Sequence, residues 1–120
     1  TPRREFLYSE DMADACVYLM NLPDEKFVPL LGQDRNDGIA PLVNIGVGHD
    51  LTIRELAEAV KAAVGYPGAI EFDTSKPDGT PRKLMDVARL NGMGWQATTS
   101  FSTGIKQAYS DFLGGDNQGV

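Results

Sequence analysis

The nine residues Ser75-Lys76-Pro77-Asp78-Gly79-Thr80-Pro81-Arg82-Lys83 constrain this chain more than any other stretch. Two prolines and a glycine exclude a helix interior or a central strand there, so the segment must be a stiff connection between elements. Three cations lie on that connection, in a chain of formal net charge −6. Rigid spacing of Lys and Arg in an acidic protein points to a small anion, such as a phosphate ester. Nucleic acid is not an expected partner, because it calls for a broadly basic face.

Around this loop the pattern is that of a small α/β chain. Phe6–Tyr8, Leu42–Ile45 and Ala69–Phe72 read as strands. Ser9 stands as an N-cap before a helix reaching about Leu22, with Glu10 and Asp11 in its first turn. Met12, Cys16, Leu19 and Met20 repeat at helical spacing and predict its buried face. Residues 23–41, with three prolines, read as a surface loop, with room for one short strand near Phe27–Val28. Thr52 and Glu55 form a capping box, Ile53, Leu56, Ala57, Val60 and Val64 a predicted buried stripe, and Gly65 a C-cap. A short helix from Val87 stops near Gly92 and Gly94. Ser100 or Ser102 caps a last helix with Phe101, Ile105, Ala108 and Phe112 on one face, and residues 116–120 read as a disordered tail. Alternation of helices and strands predicts that some strand pairs are parallel.

The 120 residues suffice for a single domain. No apolar run approaches the ~20 residues of a membrane span, and no membrane association is expected. With one cysteine, no internal disulfide forms, and a cytoplasmic location is the expectation. One Cys and one His make no metal-ligand set.

Several residues admit a chemical reading. Gly46-Val47-Gly48 occupies the place of a dinucleotide-binding turn, with Asp73 after the next strand. Leu51 replaces the third glycine, so a tight structural turn is the stronger reading. His49, the only histidine, reads as a solvated loop side chain, and Cys16 as a buried structural thiol. No tyrosine has lysine four residues on, as Met12, Leu22, Ile70 and Leu113 hold those positions. The Tyr/Lys pair of nicotinamide reductases is therefore not in this stretch. The cations Arg3, Arg4, Lys76, Arg82 and Lys83 remain: arginine grips phosphate with a planar fork, and lysine supplies a point charge.

These segments resemble a known family. Arg4-Glu5-Phe6-Leu7-Tyr8 with Asp11-Met12-Ala13, Asn44-Ile45-Gly46-Val47-Gly48, and Thr52-Ile53-Arg54-Glu55-Leu56-Ala57 are similar to motifs of the extended short-chain dehydrogenase/reductases. Residues 75–83 with Asp86, then Gly94-Trp95, resemble the GDP-L-fucose synthase branch. The resemblance implies a small C-terminal substrate-binding lobe, residues 1–120, without the main Rossmann sheet. It implies that the whole enzyme converts GDP-4-dehydro-6-deoxy-D-mannose to GDP-L-fucose by NADP-dependent 3,5-epimerisation and 4-reduction, as a homodimer. It implies further that Arg4 and Lys83 hold the GDP diphosphate, and that Arg82 and Asp78 contact the nucleotide or sugar. The catalytic and NADP-binding groups would lie in an N-terminal Rossmann domain, leaving this lobe inactive alone and without bound cofactor.

Overall fold

The computed structural model describes residues 1–31 and 42–115. In chain order the elements are β1 (Arg3–Arg4), α1 (Ser9–Met20), α2 (Asp24–Phe27), a 3-10 turn (Val28–Leu31), β2 (Leu51–Thr52), α3 (Ile53–Val64), β3 (Arg82–Lys83), α4 (Ala88–Gly92) and α5 (Phe101–Gly115). The three strands make one small sheet in the order β2-β1-β3. β1 runs antiparallel to β2 and parallel to β3. The small α/β class and the parallel pair are as the sequence pattern predicts.

α3 forms as its sequence dictates. The Thr52 hydroxyl accepts from the Glu55 N–H at 3.1 Å, and the Glu55 carboxylate accepts from the Thr52 N–H at 2.6 Å. Two otherwise orphaned donors are thereby satisfied at one helix end. Gly65 closes the other end at φ 72°, where a side chain would be strained. At α5 it is Ser100 that caps, its hydroxyl accepting from the Thr103 N–H at 3.1 Å.

The three expected strands do not form. Leu7, Val43 and Ile45 pack instead, as irregular chain, on a core of Ala15, Leu90 and Trp95. Their apolar character reflects that burial and not a sheet face. Ala69–Phe72 is likewise irregular, while the actual sheet forms around arginines. α1 also presents a different face from the expected one. Met12, Cys16 and Met20 are exposed, and Asp11 and Ala15 are buried with Tyr18 and Leu19 half-buried. The reason is polar docking. Asp11 accepts from the Thr99 N–H at 2.9 Å, Trp95 Nε1 donates to Asp14 at 2.8 Å, and the Tyr18 hydroxyl donates to the Met93 carbonyl. The residue at the first helical position is Ser9, and Tyr8 is the cap, with no side-chain hydrogen bond. Cys16 is therefore an exposed thiol and not a buried one.

Within the predicted 23–41 loop, residues 24–31 are helical turns, so the short strand near Phe27–Val28 is absent; 32–41 lie outside the described residues, as does the predicted tail 116–120. The stripe of α3 is only partly covered, with Val60 and Val64 at 41% and 43% exposure. Phe101 and Ile105 of α5 are half-buried, but Ala108 and Phe112 are exposed. The accessible surface of 8857 Å² exceeds the roughly 6300 Å² expected of a self-contained domain of this mass. A small core thus leaves much apolar surface uncovered.

Because Leu90 is fully buried at the centre of that core, Leu90→Ala should lower unfolding free energy by about 2–5 kcal/mol. Denaturant unfolding followed by Trp95 fluorescence measures this; a change below about 1 kcal/mol would show that the core does not carry the fold.

Candidate functional site

The register of the sheet decides which cations meet. Arg3 stands opposite Arg82, and Arg4 opposite Lys83. Successive side chains on a strand point to opposite faces, so Arg3 and Arg82 share one face and Arg4 and Lys83 the other. The basic loop and the first residues of the chain, about eighty positions apart, are brought together here.

The two faces differ in charge balance. On the first, Asp50 takes both arginines. Its Oδ1 accepts from Arg3 Nε at 2.8 Å, its Oδ2 from Arg82 Nε, and its carbonyl from Arg3 Nη2 at 3.0 Å. The Asp50 side chain is 3% exposed, while those of Arg3 and Arg82 are 40% and 60% exposed. Arg82, a candidate substrate contact from sequence, gives its Nε to this ion pair while its side chain stays 60% exposed.

On the second face Arg4 is seated across the loop. Its Nη1 donates to the Arg3 carbonyl at 2.7 Å and to the Thr80 carbonyl at 2.8 Å. A Cβ on Gly79 would lie 3.5 Å from Nη2, an ordinary contact, so the guanidinium packs directly against the loop backbone there. Among the described residues the remaining edge of Arg4, Nε and Nη2, has no protein acceptor, and neither Arg4 nor Lys83 has a carboxylate in ion-pair range. Lys83 is exposed and lines a cleft of about 310 Å³ with Glu5, Leu84 and Met85.

Asp78 is not brought into this cluster. It lines a separate cleft of about 420 Å³ with Asp73, Thr74 and Lys76, faced by Ile53 and Arg54. The Arg54 guanidinium carbon lies 4.3 Å from the centroid of the Phe72 ring, a cation–π stack. Hydrogen bonds from Ser75 hold the Asp73 carboxyl below its ordinary range.

The Gly46-Val47-Gly48 turn does aim its amides at an anion, but that anion is internal. Glu5 Oε1 accepts from the Val47 and Gly48 N–H groups at 2.6 and 2.7 Å, and Oε2 from the Met85 N–H at 2.8 Å. A Cβ on Gly46 would fall 2.5 Å from Glu5 Oε1, and Gly48 has φ 85°. Gly46 is needed for this carboxylate, which already takes the amides of Val47 and Gly48, so the turn does not fit a dinucleotide phosphate. His49 is exposed in the same turn. Among the described residues no His, Cys, Asp and Glu group could hold a metal ion, and no helix is long and apolar enough to cross a membrane.

Sequence reasoning passed over Glu5 and Asp50. Each is a single carboxylate beside a glycine turn or a strand end, and nothing local distinguishes it from a solvated one.

Comparison with known proteins bears on this arrangement. GDP-L-fucose synthase of Escherichia coli (strain K12) is 44% identical over 113 residues, which is 94% of this chain and 34% of that protein. GDP-L-fucose synthase 1 of Arabidopsis thaliana is 46% identical over 113 residues, which is 94% of this chain and 31% of that protein. The chain spans about a third of the length of the GDP-L-fucose synthases it matches. Two solved structures from Campylobacter jejuni share the fold. A GDP-6-OMe-4-keto-L-xylo-heptose reductase superposes with a TM-score of 0.80 at 34% identity, covering 99% of this chain and 32% of that one. A GDP-D-glycero-L-gluco-heptose synthase, solved in the presence of NADPH, gives 0.78 at 35% identity, covering 94% and 31%. No protein-family model matches the chain.

Hydrogen bonds from Arg82 and Arg3 hold the Asp50 carboxyl below its ordinary 3.8. A carboxyl with a depressed folded pKa contributes stability above its unfolded pKa and loses it as pH falls through the folded value. The Asp50 contribution should thus persist from neutral pH to about pH 4 and vanish below. Thermal unfolding from pH 7 to pH 2 should show Asp50→Asn melting lower at neutral pH and converging with the unaltered chain in acid. A gap that stays constant down to pH 2 would refute the charge role.

Proposed function

We propose that this chain is the GDP-sugar-binding portion of a GDP-L-fucose synthase, an NADP-dependent epimerase and reductase acting on GDP-4-dehydro-6-deoxy-D-mannose. The observation that carries this reading is the Arg4–Lys83 pair. Residues opposite one another on neighbouring strands lie about 5 Å apart, close enough for one diphosphate to touch both. The open Nε and Nη2 edge of Arg4 is the fork that grips phosphate oxygens bidentately, and Lys83 adds a mobile point charge. With Arg82 drawn off by Asp50, its proposed part is support of the loop. Asp78, in the neighbouring cleft, is proposed to face the nucleoside or sugar end of the same ligand.

The two Campylobacter jejuni structures are named for GDP-linked heptoses, and the Escherichia coli relative for GDP-L-fucose. What these names share is GDP, while the sugar varies. That supports assigning the chain to recognition of the nucleotide handle and favours, as a second reading, a GDP-sugar reductase with a different sugar. The NADPH in one of those structures supports NADP as cofactor of the whole protein. Since the Gly46–Gly48 turn is filled by Glu5, the cofactor belongs in this reading to a Rossmann domain beyond this chain. Homodimerisation and a cytoplasmic location go with the same proposal.

In the full-length protein, holding GDP at a distance from the reacting carbons helps fix the sugar for hydride transfer. The chain alone should show no NADPH oxidation with the keto sugar. Arg4→Ala and Lys83→Ala should each weaken GDP binding by about 10- to 100-fold, as loss of a charge-assisted contact predicts. Calorimetric titration with GDP, UDP and dTDP measures this and the base preference together. Losses below twofold for both variants would instead favour an interaction domain without a nucleotide ligand.

A further inference from the structure

Each strand of the sheet contributes only two residues, so ladder hydrogen bonds alone specify the register weakly. A slip of one residue between β1 and β3 would turn Lys83 away from the face that carries Arg4. It would bring Arg82 there instead. The residues directly opposite at Arg3 and Arg82 are moreover like charges, which by themselves push neighbouring strands apart. Something must offset that repulsion and choose one register.

Asp50 meets both requirements. It immediately precedes β2, and its two carboxylate oxygens are divided between β1 and β3, one arginine each. A third hydrogen bond, from Arg3 to its carbonyl, fixes the backbone at the same point. The Asp50 side chain is 3% exposed, so its two oxygens are turned inward to the arginines, whose own side chains reach water at 40% and 60%. One residue therefore links all three strands. It also neutralises a cation that would otherwise compete with Arg4 and Lys83 for an anion.

We propose that Asp50 is a positioning residue for substrate: by clamping Arg3 and Arg82 on one face of the sheet, it sets Arg4 and Lys83 side by side on the other. This rests on the reading that Arg4 and Lys83 hold the diphosphate. Asp50 itself touches no ligand in this account. Its effect passes entirely through the register of β1 against β3.

The test is a double-mutant cycle in the full-length protein, with GDP as probe and calorimetric affinity as readout. Asp50→Asn should weaken GDP binding at least tenfold, and Arg3→Gln, which removes one arm and no proposed ligand contact, at least threefold. Combining Asp50→Asn with Arg4→Ala should cost no more than twofold beyond Arg4→Ala alone, because there is then no Arg4–Lys83 pair for the clamp to set side by side. A merely structural defect would instead add to the Arg4→Ala loss, and additive losses overturn the proposal. It is also overturned, with the diphosphate reading intact, if Asp50→Asn and Arg3→Gln stay within twofold of wild type while Arg4→Ala weakens GDP. If Arg4→Ala changes nothing, the diphosphate reading itself falls, and the proposal with it. Should Asp50→Asn lose its far-ultraviolet circular dichroism, the cycle is run with Arg3→Gln under the same criteria.

Discussion

The Glu5 carboxylate is the contact on which the rest of this structure depends. It accepts three backbone N–H groups, from Val47 and Gly48 in one turn and from Met85 after the basic loop. A carboxylate is acceptor-only, and three donors use it well. Without it, the part-buried Val47 amide would need another partner, at about 1–3 kcal/mol if left unsatisfied. The exposed Gly48 and Met85 amides would turn to water, and the tie between the two segments would be lost. Asp50 and Asp11 repeat the device. Asp50 joins β1 to β3, and Asp11 holds the turn at Thr98 and Thr99 before α5. In a chain whose buried core is Ala15, Val87, Leu90 and Trp95, such long-range polar ties supply order that packing alone does not.

The same ties sort the cations of the loop into three environments. Lys76 lines the cleft with Arg54 and Asp78; Arg82 is paired to Asp50; Lys83 stands beside Arg4. Sequence proximity alone would treat the three as one basic patch. Strand alternation separates Arg82 from Lys83, and Asp50 then makes the separation chemical as well as geometric. The prolines, which first mark the loop as stiff, also take part: the Pro81 carbonyl accepts from the Arg3 N–H at 2.8 Å, at the start of the parallel pair.

What could be read from sequence was what is local. The Thr52–Glu55 capping box, the Gly65 cap and the Pro- and Gly-defined loop are each fixed by residues within a few positions. Each appears in the structure. The strands are not legible because the apolar residues Leu7, Val43 and Ile45 are half-buried by irregular packing, and two-residue strands have no period to detect. The buried face of α1 is not legible in the sequence because an aspartate, Asp11, carries it, and hydrophobic spacing assumes that charge faces water. The link between Arg4 and Lys83 came from resemblance, and its physical basis, a register set by Asp50, has no local signature. Long-range pairing of this kind is decided by which partner satisfies a buried carboxylate, and that is not visible in the run of residues around it.

Charge balance explains why such a site suits a small anion. The chain as a whole is acidic, at −6, so a long polyanion laid along its surface would meet repulsion beyond the loop. A diphosphate is short enough to stay within the positive region, which falls off over roughly 8–10 Å at ordinary ionic strength. Within it, Asp50 leaves one net positive charge on its face, and Arg4 and Lys83 contribute two on the other. The negative charge of Glu5 is turned toward three amides. The arrangement gathers positive charge at a small sheet, and in the proposed reading the Arg4 fork takes phosphate oxygens there.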